Sequence, residues 1–184
     1  MKTFVAVFLT IAVLAVRAHG APFKLTSKDV KEGAAIADKH AFNGMGCSGG
    51  NTSPELEWSN PPAGTKSFAL MVYDPDAPTG SGFWHWVVYN IPSDATSLPQ
   101  GAGTADGKTM VKGAVQSNTD FSAPGWGGPC PPAGSGNHHY NFWLFALKVE
   151  KLELPANATA AFVGFNVRAN QLGMAKLIAV YSRK

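Results

Sequence analysis

The stretch Lys66-Ser67-Phe68-Ala69-Leu70-Met71-Val72-Tyr73, then Asp74-Pro75-Asp76-Ala77-Pro78, then Trp84-His85-Trp86-Val87-Val88-Tyr89-Asn90-Ile91-Pro92, decides the fold class. Its first part is apolar at both alternating positions, as a strand covered on both faces must be. The two prolines that follow cannot continue a hydrogen-bonded ladder, so the strand ends there. The third part is aromatic and β-branched, which suits a packed pleated surface, and Pro92 stops it. Simple alternation puts Trp84, Trp86 and Val88 on one face and His85, Val87 and Tyr89 on the other.

Working outward, residues 140–149 form a third long strand, again apolar on both faces. Shorter strands are expected within 23–30, near 111–115 and over 175–181. Residues 41–66 and 93–135 are irregular, rich in Gly, Pro, Ser and Asn. Asn157 or Thr159 can cap a helix running to about residue 171. Phe162, Phe165, Ala169 and Leu172 recur on it at helical spacing as a core-facing stripe, and Gly173 is a plausible stop. Strands dominate without βαβ alternation, so the expected class is mainly β with an antiparallel sheet.

The first twenty residues are a different material. Lys2 is followed by a nearly unbroken apolar run from Phe4 to Val16, and Ala18-His19-Gly20 precedes Ala21 as a small-x-small cleavage site. This is the layout of a secretory signal peptide over 1–20, leaving a single domain over 21–184 that is secreted or periplasmic. Without Lys2 and Arg17 the chain carries 13 basic and 12 acidic side chains. That near-neutral balance gives no basic field to recommend nucleic acid, and no second apolar span implies a transmembrane segment in the mature chain. Export permits a disulfide between Cys47 and Cys130, the two cysteines, although their sequence positions do not decide it.

The groups able to carry chemistry gather where loops meet strands. Asp74 and Asp76 follow one strand, His85 opens the next, and His138-His139 precede the third. Taken singly, each has an ordinary reading: Asp74 and Asp76 as turn residues bonding nearby backbone N–H groups, His85 as a satisfied core side chain. A metal site is not expected, because these residues lack ligand-type spacing, and no cofactor motif is present. Gly46-Cys47-Ser48-Gly49-Gly50 lacks the partners of a serine nucleophile and reads as a turn.

Taken together, the blocks resemble the phosphatidylethanolamine-binding protein family, in its bacterial Raf-kinase-inhibitor-like branch. Asp74 to Pro78 with His85 to Pro92 looks like the first signature block of that family. Gly128-Pro129-Cys130-Pro131-Pro132 with Gly136-Asn137-His138-His139-Tyr140 looks like the second. Asn51-Thr52-Ser53-Pro54-Glu55-Leu56-Glu57-Trp58, Ser67-Phe68-Ala69-Leu70 and Leu152-Glu153-Leu154-Pro155 resemble the bacterial branch in the same order. The resemblance implies a large antiparallel sheet packed with a smaller sheet and a few helices. It implies a pocket for phosphate-like anions, including a phospholipid head group, lined by Asp74, His85, His138 and Tyr140. Pro132 and Gly134 belong to the adjoining loop, and Asp76 and Trp84 are supporting residues.

Two departures from the family stand out: His139 replaces a usual Arg, and mammalian members continue into a longer helix that shields the pocket. The expected function is binding without turnover, with His85, His138, the Tyr140 hydroxyl and backbone N–H groups of the 128–136 loop as donors. On that account binding weakens as pH rises through an ordinary histidine value of about 6.5. The alternatives are an inhibitor that docks on an extracellular protease or other secreted partner, and a hydrolase using the His/Asp cluster.

Overall fold

A computed structural model describes residues 20–184, so the signal peptide expected over 1–20 lies outside the described residues except for Gly20. The strands are β1 (Lys24–Thr26), β2 (Asn43–Gly44), β3 (Cys47–Ser48), β4 (Leu56–Ser59), β5 (Ser67–Asp74), β6 (Phe83–Pro92), β7 (Ser97–Leu98), β8 (Val115–Gln116), β9 (His138–Leu147) and β10 (Gln171–Tyr181). The α-helix α1 (Ala160–Asn170) lies between the last two. A five-stranded sheet runs β10-β9-β5-β6-β8, a three-stranded sheet β1-β4-β7, and β2 and β3 form a small hairpin. Every pairing within these sheets is antiparallel.

β5 sits at the centre of the large sheet and is buried at all but Tyr73. Its alternating residues therefore serve two cores. Phe68, Leu70 and Val72 face inward with Trp86, Val88, Phe142 and Leu144, against Leu25, Leu56 and Trp58 of the small sheet. Ala69 and Met71 face outward with Val87, Phe145 and Leu147, beneath Ala160, Val163 and Val167 of α1. The layers are thus small sheet, large sheet, helix. Each fully buried large side chain contributes about 2 to 3 kcal/mol by transfer from water, which is what holds the layers together.

The helix departs from its expected stripe. Thr159 caps it, accepting from the Phe162 N–H at 3.2 Å. The buried face is Ala160, Val163 and Val167, whereas Phe162 and Phe165 are 46% and 72% exposed. Small residues at i, i+3 and i+7 let the helix lie close on the sheet, where the larger phenylalanines would hold it away. Leu172 is exposed and lies beyond the helix, in β10. Gly173 does not stop the helix, which runs from Asn170 straight into β10. Its lack of a side chain answers a close approach instead, since a Cβ there would fall 2.7 Å from Pro62. The other bounds move modestly: β9 starts at His138, so both histidines lie within the strand, and the 111–115 strand is Val115–Gln116.

One irregularity places the site. In the β5–β6 ladder Val72 pairs with Trp86, but Tyr73 pairs with Trp84, leaving His85 as the extra residue of a β-bulge. A bulge shifts the face of every residue beyond it. Trp84 therefore joins the outer core with Val87, and His85 turns to the inner face beside Tyr140. This corrects the simple alternation, which had grouped Trp84 with Trp86. The cysteines are bridged: Cys47 in β3 and Cys130 are joined at an S–S distance of 2.05 Å.

Candidate functional site

Asp74, His85, His138 and Tyr140 converge at the end of the inner face of the large sheet. They come from the last residue of β5, the bulge of β6 and the start of β9. Asp74 is buried, and its carboxylate does two things. Oδ1 accepts from the Asp76 N–H at 2.8 Å, which is the turn role, and Oδ2 lies 2.7 Å from His138 Nδ1, which donates to it. His138 Nε2 is 3.0 Å from Ser135 Oγ, itself 2.7 Å from the Pro132 carbonyl. His138 is thus the link between the Asp74 turn and the Gly-rich loop, with both ring nitrogens engaged.

His85 has a different task. Its Nδ1 lies 2.6 Å from the Gly127 carbonyl, and a carbonyl can only accept, so Nδ1 carries the proton. Burial is the main reason its pKa falls from 6.5 to about 4. His85 is therefore neutral at physiological pH and presents Nε2 as a lone pair. This overturns the expectation of a histidine donor at that position and of a pH dependence set by it near 6.5. Tyr140 is wholly buried, its ring centroid 5.0 Å from that of His85, and its hydroxyl has no hydrogen-bond partner among the described residues. Burial pushes its pKa up, with Asp74 adding to the effect, so the hydroxyl stays protonated.

These four groups line a cavity of about 170 Å³. Its other walls are largely apolar and include Met45, Pro78, Phe83, Phe121, Pro131 and Pro132. Among the described residues no lysine or arginine lines it. The loop bearing Pro131 and Pro132 is pinned from several sides. Gly128 N–H donates to Asn51 Oδ1 at 2.8 Å, Phe42 N–H donates to the Pro129 carbonyl at 3.0 Å, and Arg183 donates to the Pro131 carbonyl at 3.2 Å. A Cβ on Gly128 would lie 2.1 Å from the His40 carbonyl, so only glycine permits this packing. The disulfide fixes the same loop to the hairpin that carries Met45.

The pinning spends the loop's donors. Gly128, Gly134 and Ser135 N–H groups already bond Asn51, the Arg183 carbonyl and the Pro132 carbonyl, and Pro129, Pro131 and Pro132 have none. The expected cradle of loop N–H groups is therefore largely unavailable. Gly134 does not line the cavity; with φ of 75° it serves the turn. Asp76 lies outside it and accepts from the backbone and ring nitrogens of His139 at 2.8 and 2.7 Å. Although burial opposes the change, those bonds hold the Asp76 carboxyl below its usual range. His139 thus steadies the turn that carries Asp74 and Asp76. Trp84 lies on the other face of the sheet. Sequence reasoning missed Phe83, Phe121, Met45 and Ser135; Phe121 sits in an aperiodic loop and carries no signal of its place. Among the described residues no three His, Cys, Asp or Glu gather as metal ligands.

A two-sheet β fold with an acidic and histidine-lined pocket at the sheet end defines a class, and a family model confirms it. The model for phosphatidylethanolamine-binding protein matches residues 26–182, and the chain belongs to that family. A relative at the level of the whole chain is the UPF0098 protein YbcL of Escherichia coli, 49% identical over all of both sequences. The crystal structure of E. coli YbcL, described as a new member of the mammalian PEBP family, covers 89% of this chain and 100% of its own with a TM-score of 0.87 and 51% identity. A Mycobacterium tuberculosis protein named as a candidate lipoprotein, LppC, is 37% identical over 87% of this chain and 72% of its own. Among the described residues no helix is long and apolar enough to cross a membrane.

Proposed function

We propose that this chain is an exported, non-catalytic binding protein whose pocket takes a protonated phosphate, free or as the phosphomonoester of a phospholipid-type head group. The observation that carries the reading is the buried Tyr140 hydroxyl, without a partner among the described residues, in a cavity it shares with the Asp74 carboxylate and the lone pair of His85. A buried hydroxyl left unbonded costs free energy, and a ligand oxygen that accepts from it removes that cost. Of the other polar side chains in the lining, the Asp74 carboxylate and the Nε2 lone pair of His85 accept. They suit a ligand that also brings a proton, such as the P–OH of a phosphate monoanion or the ammonium of ethanolamine. A fully ionised anion meets Asp74 with no lysine or arginine of the described residues in the lining to offset it. The family name supports the phosphate part, and the signal-like leader and the candidate lipoprotein relative support export.

Tyr140, held as a phenol and so a poor nucleophile, supports the non-catalytic part of the reading. Calorimetric titration of the mature protein with phosphate, O-phosphorylethanolamine and sulfate tests the reading. The expected result is saturable binding of the two phosphates. Sulfate, which carries no proton near neutrality, binds much more weakly, and Tyr140→Phe loses about tenfold in affinity. Equal binding of sulfate, or affinity untouched by Tyr140→Phe and Asp74→Ala in folded protein, refutes it.

A further inference from the structure

The outer face of the large sheet carries a second concavity, of about 540 Å³, that the pocket reading leaves unused. Tyr73, Trp84 and Trp143 form its wall, with ring centroids 4.5, 5.6 and 6.1 Å apart. Phe165 of α1, 72% exposed, overhangs it. The helix leaves the space open through Gly164. Glycine within a helix costs about 1 kcal/mol relative to alanine. Here a Cβ would press on Met71 at 3.3 Å, inside the concavity.

Its polar content is one-sided. Arg168 lies over the Trp143 and Phe145 rings at 5.8 and 5.5 Å, and among the described residues it has no carboxylate partner. The Tyr73 hydroxyl is already committed to the Ser81 carbonyl at 2.7 Å. The indole N–H groups of Trp84 and Trp143 can only donate. Among the described residues no acid lines the groove. A sugar needs acceptors as well as donors, and a cation meets Arg168. What fits is an apolar body that ends in an anion.

The geometry points to a second binding site, on the face of the sheet opposite the phosphate pocket, for an amphipathic carboxylate such as a medium-chain fatty acid. The chain lies on Trp84 and Trp143 beneath Phe165, and the carboxylate pairs with Arg168. Charge complementarity selects this occupant over a neutral or cationic one. The site does not depend on what fills the inner pocket.

Intrinsic fluorescence reads the site directly. Trp84 and Trp143 are half-buried here, whereas Trp58, Trp86 and Trp126 are buried in the inner core. The mature protein is titrated with decanoate, decanol and decyltrimethylammonium below their aggregation concentrations, beside Arg168→Gln. Arg168 is exposed, so the variant folds. The expected result is a saturable change with decanoate, weakened about tenfold in Arg168→Gln. Decanol binds more weakly and equally in both proteins, the cation does not bind, and Tyr140→Phe leaves decanoate binding unaltered. Equal decanoate affinity in wild type and Arg168→Gln overturns the proposal, as does decanol binding as tightly as decanoate. A dimer that Phe165→Asp dissociates, together with no decanoate response, assigns the groove to a second copy of the chain and also overturns it.

Discussion

Replacing His85 by Gln removes a titrating ring from the buried face of β6 while keeping an N–H donor for the Gly127 carbonyl. Burial lowers the His85 pKa from 6.5 to about 4 in the folded protein. Between those values the unfolded chain binds a proton that the folded chain refuses. Stability from this group is therefore complete above 6.5, falls as pH drops toward 4, and is lost below that. At about 1.4 kcal/mol per pH unit, the difference is worth about 3 kcal/mol, a large share of the 5 to 15 kcal/mol typical of a domain. Urea unfolding of the oxidised protein across this range, for wild type and His85→Gln, isolates the effect in the difference between the two curves. His40, which burial also lowers, is common to both proteins and cancels. The variant is expected to start less stable and to lose about 3 kcal/mol less on acidification. Parallel loss in both proteins refutes the neutral, buried His85 on which the site chemistry rests.

Three further outcomes follow from packing. Gly128→Ala places a methyl 2.1 Å from the His40 carbonyl, and thermal unfolding should show a loss of about 3 kcal/mol or more, because backbone must move. Thr159→Ala removes the N-cap bond of α1 and should cost about 1 kcal/mol in the same assay, without altering phosphate titrations. Replacing both Cys47 and Cys130 by Ser opens a closure spanning 83 residues and should cost about 4 kcal/mol by chain entropy, read from the shift in urea midpoint.

The long strands were legible because β5 and β9 lie between two cores, and a strand covered on both faces must be apolar throughout. The antiparallel order followed from the scarcity of helices. What sequence could not give was register. The bulge at His85 depends on how β6 pairs with β5, and alternation alone assigned Trp84 and His85 to the wrong faces. The helix was misread for a related reason. Size drew attention to Phe162 and Phe165, while the sheet accepts the small face of Ala160, Val163 and Val167. Asp74, His85, His138 and Tyr140 were named through the family resemblance, and all four line one cavity. Their roles were not legible, because protonation follows burial. Nothing in the residue at position 85 says that a carbonyl accepts from its Nδ1–H or that water is excluded from it. The disulfide was permitted by chemistry and settled by distance, with Cα atoms 6.0 Å apart.

The most direct test of the central claim is an NMR titration of the mature protein with O-phosphorylethanolamine. It follows the imidazole signals of His85 and His138, the phenol of Tyr140 and the indole signals of Trp84 and Trp143. The account predicts saturable shifts at His85, His138 and Tyr140, with His85 remaining neutral and the two indoles unmoved. Saturable shifts confined to the indoles, or no saturable shift at Tyr140, contradict it.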